Sequence, residues 1–415
     1  MRILWNSHLV ALYMKIKHFL LSAVFLTSVG LPIAVQAAPL VSIGDSVDVF
    51  FNGSSSLEWQ SNVFSDETDE VDDFKYTVSP GFEVNVGRGL SNVDLSIITR
   101  YDVVRFDEVT DLDNELFHIR AVGSYAGSRL TVNGLVSYDE SQSNGADGND
   151  NQKGKLSSSE TTAANVNGEY TLSPKFSVGA GVNYNHREYA EGSSADRDSY
   201  TVPLDIFYEL TPKVDLSIGY TYTSTEVSST ESGTAEVGGY DKEQHFVNVG
   251  ARGDLLPKLT GNFKIGFNTM DSDDPSTRDG TGPEGTSDRD SDSSLAVDAS
   301  FTYLATAKVN TQLSLNRNFD VAGQGESTQV TSTNLSANYS INTQYTATAN
   351  FGYTLREYVD TGREDDNYRT GVSLSYVPNQ YWRFSTGYNY TENSSSDAGQ
   401  SYESHVINVS ASLRY

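Results

Sequence analysis

The chain has 415 residues, with 55 acidic and 28 basic side chains, no cysteine and a formal net charge of −27 at pH 7. This charge argues against nucleic-acid binding, because phosphates attract Lys and Arg. The lack of cysteine argues against a thiol redox centre or a zinc–thiolate centre. The 25 tyrosines and 18 phenylalanines, together with 34 glycines, favour many β-strands and aromatic girdles over helices.

The N-terminus has the pattern of a targeting segment. Residues 14–17 are basic, residues 19–30 are apolar, and residues 35–37 offer small side chains for cleavage before Ala38. We therefore predict a signal peptide over residues 1–37, with Met14 as an alternative translation start. A retained membrane anchor is the weaker alternative, because the apolar run is short for a membrane span and is broken by glycine and proline.

The rest of the chain consists of segments of about ten residues in which apolar and polar side chains alternate, the signature of a transmembrane barrel. Residues 213–222 are the clearest case. One face would carry Val214, Leu216, Ile218, Tyr220 and Tyr222, and the other Asp215, Ser217, Gly219 and Thr221. A strand separates these two sets cleanly, whereas a helix would mix them.

Short and long connections alternate along the chain, as they do in up-and-down barrels with short periplasmic turns. The predicted short turns are 172–175, 210–213, 255–258, 304–308, 341–344 and 377–380. The predicted extracellular loops, which are polar and largely acidic, are 61–72, 107–114, 139–160, 189–197, 225–242, 270–293, 319–328, 358–366 and 393–401.

We predict an all-β fold, a transmembrane antiparallel up-and-down β-barrel of about 18 strands, with 16 as the competing count. Residues 38–46 would be a short periplasmic segment and residues 47–415 a single outer-membrane barrel. The predicted strands begin near residues 47, 74, 92, 115, 128, 161, 175, 198, 213, 243, 259, 294, 309, 329, 345, 366, 381 and 402.

Three details of this barrel are testable. No charged side chain should face lipid at mid-depth, and Arg105 and Arg317, which fall on the outward face, should lie near the rims. Pro80 and Pro203 lie within predicted strands, where a missing donor should produce β-bulges. The final strand carries an alternating stripe that ends on an aromatic residue, the predicted barrel-assembly signal: Ile407, Val409, Ala411, Leu413 and Tyr415.

No catalytic constellation or cofactor motif stands out, so we predict a protein that is not an enzyme. His186, His245 and His405 lie near predicted extracellular rims with acids nearby, but no histidine has a second histidine at metal-ligand spacing. The acidic loop 271–293 contains a weak calcium candidate, formed by Asp271, Asp273 and Asp274. That loop lacks the spacing and closing glutamate of an EF-hand, and a hydrated loop is the simpler interpretation.

The predicted lumen is the more informative surface. Its candidate charged lining is Arg100, Arg120, Arg187, Arg252, Lys264, Arg356, Arg369, Arg383, Asp94, Asp102, Asp205, Asp215, Asp254 and Asp298. Its candidate asparagines are Asn183, Asn185, Asn262, Asn268, Asn310, Asn316, Asn334, Asn338, Asn350, Asn389 and Asn408. Amides and hydroxyls exchange hydrogen bonds with hydrated solutes, and arginines contact acidic sugars bidentately, although any porin lumen is polar.

The chain resembles the outer-membrane β-barrel porins that are often encoded beside exopolysaccharide synthesis genes. The resemblance rests on the opening segments 45–51 and 61–64 and on the repeated Tyr-x-Leu-[Ser/Thr]-Pro-Lys turn with its following strand, in residues 170–184 and 208–222. The later turns lose the Pro-Lys pair. The resemblance implies an exit for a secreted polysaccharide in the Gram-negative outer membrane, working with a periplasmic polysaccharide-export protein.

An exopolysaccharide exit pore is therefore the leading functional hypothesis. Its partners would be outer-membrane lipid and lipopolysaccharide, the barrel-assembly machinery and the polysaccharide itself. One alternative is an uptake porin for small hydrophilic solutes, with residues 139–160 folded inward as a constriction. Another is a surface adhesin or structural barrel that acts through its acidic loops. Neighbouring glycosyltransferase genes would favour export, and genes for sugar catabolism would favour uptake.

Overall fold

The structure is a computed structural model that describes residues 38–87, 91–143, 157–190, 194–232, 235–237, 239–273, 290–323, 325–359 and 361–415. The predicted signal peptide, residues 1–37, lies outside the described residues. Within them, no helix has the length and apolar character needed to cross a membrane.

Nearly all of the described chain is strand. The strands are β1 (Val41–Ile43), β2 (Val47–Gln60), β3 (Asp73–Val86), β4 (Val93–Phe106), β5 (Asn114–Ala126), β6 (Leu130–Ser143), β7 (Ser157–Ser173), β8 (Phe176–Tyr189), β9 (Arg197–Thr211), β10 (Val214–Val227), β11 (Thr230–Ser232), β12 (Ala235–Val237), β13 (Tyr240–Leu256), β14 (Leu259–Ser272), β15 (Asp290–Thr306), β16 (Val309–Val321), β17 (Ser327–Ser340), β18 (Tyr345–Tyr358), β19 (Glu364–Tyr376), β20 (Trp382–Ser395) and β21 (Tyr402–Arg414). One short 3₁₀ turn, Thr110–Leu112, lies between β4 and β5.

The long strands form one closed antiparallel barrel. Each pairs with the next long strand along the chain, and β21 pairs with β2 to complete the ring. With β1 and the small β11–β12 hairpin set aside, eighteen strands form the wall, which confirms the predicted fold and count. The β1 strand extends the ladder of β2 at the end where β21 has finished. Both chain ends of the barrel therefore lie at the end with the short turns.

Alternation assigns the two faces of the wall. On β14, Phe267 is 67% exposed and Ile265 is also exposed, whereas Asn268 is only 1% exposed. The exposed apolar side chains face outward, where the bilayer would cover them, and the polar side chains face the lumen. Arg105 and Arg317 lie on the outward face, where they pair with Glu115 and with Glu357 (3.2 Å).

The strands extend further into the predicted loops than the sequence indicated. The largest differences are five residues for β6, which ends at Ser143, and four residues for β7 and β15, which begin at Ser157 and Asp290. Antiparallel pairing continues past the apolar band because polar ladders remain satisfied in water, and composition alone does not mark where they stop. The predicted loop 225–242 likewise contains the β11–β12 hairpin.

The predicted β-bulges at Pro80 and Pro203 are wrong. The β3–β4 register is the same on both sides of Pro80, and the β8–β9 register is the same on both sides of Pro203. In each ladder two pairings lapse and then resume without a shift. The missing donor is therefore accommodated by a local opening on one side of the strand, while pairing with the strand on the other side stays continuous.

Candidate functional site: the lumen of the barrel

All fourteen charged residues predicted for the lumen lie at the inward-facing register positions of their strands. Side chains that reach across non-adjacent strands establish which face is interior, because only there do curved walls bring such groups together. Lys264 on β14 contacts both carboxylate oxygens of Asp205 on β9, at 2.7 and 2.8 Å, with two strands between them in the wall. The strand register therefore places these residues on the face from which the contact between Lys264 and Asp205 is made.

The most connected group in the lumen is the Arg252 guanidinium on β13. It makes two 2.7 Å bonds to the carboxylate of Glu169 on β7 and a 3.0 Å bond to Asp215 on β10. Its carbon Cζ also lies 3.5 Å from the centroid of the Phe207 ring. Bidentate geometry and the aromatic face hold this arginine in place, so its charge is compensated locally.

A second charged network lies on β4, β5 and β6. Asp102 forms an ion pair with Arg100 at 2.9 Å and lies 3.2 Å from Nε2 of His118, whose Nδ1 lies 3.1 Å from Asp139. His118 was not among the residues predicted to line the lumen. It lies two residues before Arg120 in the same strand, and this spacing indicates that both side chains share the lumen face.

Three adjacent strands place one arginine each on the same wall of the lumen, and these three are Arg356, Arg369 and Arg383 on β18, β19 and β20. Within the described residues, neither Arg369 nor Arg383 forms an ion pair, and Arg120 on β5 forms none either. The guanidinium groups of Arg120, Arg369 and Arg383 are therefore available to an anionic group in the channel.

The remaining predicted charges are spread over different heights. Arg187 donates to the hydroxyl of Thr161 at 3.3 Å, near the long-loop end. Asp254 pairs with Lys213 at 3.3 Å, at the short-turn end, where Asp94 also lies. Asp298 is exposed to the lumen on β15. The lumen therefore presents charges of both signs without forming one compact charged centre.

Several asparagines on the lumen face lie opposite glycines on the neighbouring strand. Asn350 and Asn389 both pair with Gly371, and Asn408 pairs with Gly387. A methyl group added at Gly387 would lie 2.7 Å from Oδ1 of Asn408, so the amide occupies the space that a side chain would fill. The amides consequently lie flat on the wall, which keeps the lumen open and its surface polar.

A segment that sequence reasoning missed narrows the long-loop mouth. This docked segment, residues 321–323, 325 and 326, turns inward from the end of β16 and packs on β9 and β13. Lys242, which is 0% exposed, donates to the backbone oxygen of Asp320 at 2.6 Å, and Arg197 donates to that of Val321. Val321 is buried in a cluster with Ala195, Val227 and Tyr240. The signal was the sequence Val-Ala-Gly in a loop with few acids.

The predicted constriction 139–160 is described only at its two ends. Residues up to 143 and from 157 onward belong to β6 and β7, and residues 144–156 lie outside the described residues. Three cavities of about 650, 480 and 730 Å³ follow the lumen and its ends. The 480 Å³ cavity reaches the β16 end of the docked segment, and the 730 Å³ cavity lies in the half nearer the short turns.

The rim histidines all contact groups on the outer face. His186 lies 3.0 Å from Asp198, and the other two contact tyrosine hydroxyls, at 2.8 Å for His245 and 2.9 Å for His405. In the described part of the chain, no three His, Cys, Asp or Glu side chains could hold a metal ion. Of the weak calcium candidate, Asp271 and Asp273 are described and Asp274 lies outside, so that site stays a prediction.

An eighteen-stranded closed barrel with an apolar outer band and a polar lumen is the architecture of outer-membrane channels. The family profile described as "Putative beta-barrel porin 2" matches residues 52–415. The chain belongs to this family, and it is an outer-membrane β-barrel channel. A search of curated proteins gives no match for the chain.

Solved structures with a similar fold are distant in sequence. A BenF-like porin from Pseudomonas fluorescens Pf-5 is 8% identical with a TM-score of 0.49, and the match covers 89% of this chain and 99% of that chain. OpdK from Pseudomonas aeruginosa, solved with vanillate, is 10% identical with a TM-score of 0.43, and the match covers 89% and 99%. The FrpB iron transporter from Neisseria meningitidis, F5-1 variant, is 10% identical with a TM-score of 0.48, and 86% of this chain is covered. The chain spans 62–64% of the length of the FrpB structures.

Proposed function

We propose that the protein is the outer-membrane exit channel for a secreted exopolysaccharide. The observation that supports this proposal is the lumen wall, where flat asparagine amides alternate with arginines that form no ion pair among the described residues. A hydroxyl-rich polymer can exchange one weak hydrogen bond for the next along such a wall, and no single contact holds it. A hydrated chain could therefore slide through without a deep binding minimum.

Transport through this pore would be passive, and the driving force would come from elsewhere. The sequence has no Gly-rich loop followed by Lys and Ser or Thr that would cradle a nucleotide phosphate. We propose a periplasmic polysaccharide-export protein as the partner, docked at the short-turn end beside β1. The barrel-assembly machinery, lipid and lipopolysaccharide are the further partners expected of an outer-membrane barrel.

The first test is a clean gene deletion with polysaccharide assayed separately at the cell surface and in the periplasm. The proposal expects loss from the surface and accumulation in the periplasm, with both restored by the intact gene. Unchanged surface polysaccharide in the deletion strain would overturn the proposal.

A second test blocks the pore without removing it, and it uses the absence of native cysteine. Asn389→Cys places a single thiol on the lumen face of β20. A bulky polymer-linked maleimide should stop surface polysaccharide release, while a small maleimide should leave most of it. Val372→Cys, at an exposed position on the lipid face of β19, is the matched control and should be insensitive to both reagents.

One observation favours the alternative of an uptake porin for small hydrophilic solutes. The docked segment narrows the long-loop mouth from inside, as an inward-folded constriction loop would. In liposome-swelling assays an uptake porin would admit mono- and disaccharides at a rate that falls steeply with size. If the deletion leaves surface polysaccharide unchanged and this swelling is seen, the uptake function replaces the export proposal.

A further inference from the structure

The 730 Å³ cavity differs from the rest of the protein in its charge. It lies in the half of the lumen nearer the short turns and is lined by Arg383, Lys308 and Arg100, which lies on β4, with three strands between it and the β20 strand of Arg383. None of the described residues that line it is acidic, although acidic residues outnumber basic ones 55 to 28 in the chain. The cavity is therefore a cationic site within an anionic protein, which selects for negative charge in whatever occupies it.

The three cations differ in how far they are already compensated. Arg100 forms an ion pair with Asp102 at 2.9 Å, and the ammonium of Lys308 donates to the backbone oxygen of Ile341 at 2.9 Å. Arg383 forms no ion pair with any described residue, and its guanidinium is half-buried on β20. A carboxylate entering the cavity would thus find an uncommitted bidentate partner in Arg383.

The cavity also carries a dense set of neutral hydrogen-bonding groups. Its asparagines are Asn310, Asn338, Asn350, Asn389 and Asn408, and serines and threonines fill the positions between them. The Oδ1 atoms of Asn310 and Asn408 are buried and accept no hydrogen bond from a described residue. Each amide would gain a donor for this oxygen if it turned from the wall toward the cavity and met a ligand hydroxyl.

We propose that this cavity binds an acidic sugar, a hexuronate or a similar carboxylate-bearing hexose unit of the polymer. Arg383 binds its carboxylate, and Asn310 and Asn408 accept its ring hydroxyls. The volume exceeds that of one hexose, so one charged unit and part of its neighbour fit together. This inference rests on the proposed polysaccharide channel and names its cargo as an anionic polymer.

The test measures current blockades of the purified full-length barrel in planar bilayers. The probes are a tetramer of galacturonate and a neutral maltotetraose of the same length. The acidic tetramer should dwell about tenfold longer than the neutral one, as expected for one charge-assisted hydrogen-bonded pair. Arg383→Gln should shorten the dwell of the acidic tetramer to the neutral value, Arg383→Lys should restore part of it, and both variants should leave the maltotetraose dwell unchanged.

A second variant probes the neutral groups. Gly387→Ala would push the Asn408 amide off the wall and should shorten the dwell of both tetramers. Gly123→Ala is the matched control, because a methyl group there faces lipid and lies 3.8 Å from the nearest atom, Leu95 Cδ1. Its dwell times should equal those of the wild type.

Equal dwell of the two tetramers in the wild type, or no effect of Arg383→Gln, would overturn the acidic-sugar site. Normal ion conductance of each variant establishes that it folded. The outcome is separable from the export proposal. A specific blockade together with unchanged surface polysaccharide in the deletion strain would support the acidic-sugar site and overturn the export proposal. Loss of surface polysaccharide without a specific blockade would support export and overturn the acidic-sugar site.

Discussion

Arg252 and Glu169 meet inside the barrel through two 2.7 Å bonds, although three strands separate β13 from β7 in the wall. This bridge spans the curved wall as a chord, and Phe207 supports it from below the guanidinium. Such a contact braces the wall and at the same time neutralises one lumen cation. The barrel therefore uses part of its lumen charge for shape and leaves only a few arginines for cargo.

Removing the acid of this bridge should change ion selectivity. Glu169→Gln keeps the size of the side chain but loses its charge, so the Arg252 guanidinium keeps only Asp215 as a charged partner. We expect the reversal potential in a salt gradient to shift toward anion preference. Glu209→Gln, which breaks the exposed rim pair with Lys175, is the control and should shift it little, because exposed pairs are screened. Equal reversal potentials for wild type and Glu169→Gln would contradict the claim that Glu169 neutralises the charge of Arg252 in the lumen.

Releasing the docked segment should widen the mouth. Lys242→Met puts a long unbranched apolar side chain at this buried position and removes the donor to the Asp320 backbone oxygen. We expect higher single-channel conductance and more frequent current transitions, because the end of β16 from which the segment turns then loses a buried hydrogen bond. Lys308→Met, which removes an exposed lysine hydrogen bond at the short-turn end, should not produce these transitions. A Lys242→Met channel with wild-type conductance and noise would show that the segment does not narrow the path.

Strands and their faces could be predicted from the sequence because both depend on local alternation. Phe263 and Lys264 lie on opposite faces because they are adjacent in a strand, where successive side chains alternate. The partners across the lumen could not be predicted in this way. Whether Lys264 meets its cross-strand neighbour Asp298 or the more distant Asp205 depends on wall curvature and strand tilt, and the structure pairs it with Asp205.

The prolines and the docked segment show two further limits of sequence reasoning. A bulge and a local opening of the ladder can each accommodate the missing N–H donor of Pro80, and the local sequence does not distinguish the two. The docking of Val321 requires a complementary apolar site formed by Ala195, Val227 and Tyr240, which come from distant parts of the chain. Both outcomes depend on tertiary fit rather than on pattern.

A charge on the lipid face should be destabilising, but a charge on the lumen face of the same strand should be tolerated. Ile265→Lys places an ammonium on the outward face near the middle of β14, at a cost of about 2–4 kcal/mol. Asn262→Lys places the same group on the lumen face three residues away and should cost much less. Urea titration of folding into lipid vesicles measures both. A similar urea midpoint for the two variants would contradict the assignment of faces.

The seam that closes the barrel should depend on backbone pairing more than on the terminal ring. Tyr415 and Phe51 exchange two backbone hydrogen bonds, of 2.9 and 2.5 Å, and the Tyr415 ring lies 5.7 Å from that of Tyr381. Deleting Tyr415 removes both bonds and the ring, and should lower the stability of the folded barrel by about 1–3 kcal/mol. Tyr415→Ala keeps the backbone pair and should lose only the smaller ring contribution. The temperature at which the folded band disappears in unheated-versus-heated gel electrophoresis measures both variants. If the alanine variant melts as early as the deletion, the seam is held by the aromatic contact and not by the backbone pair.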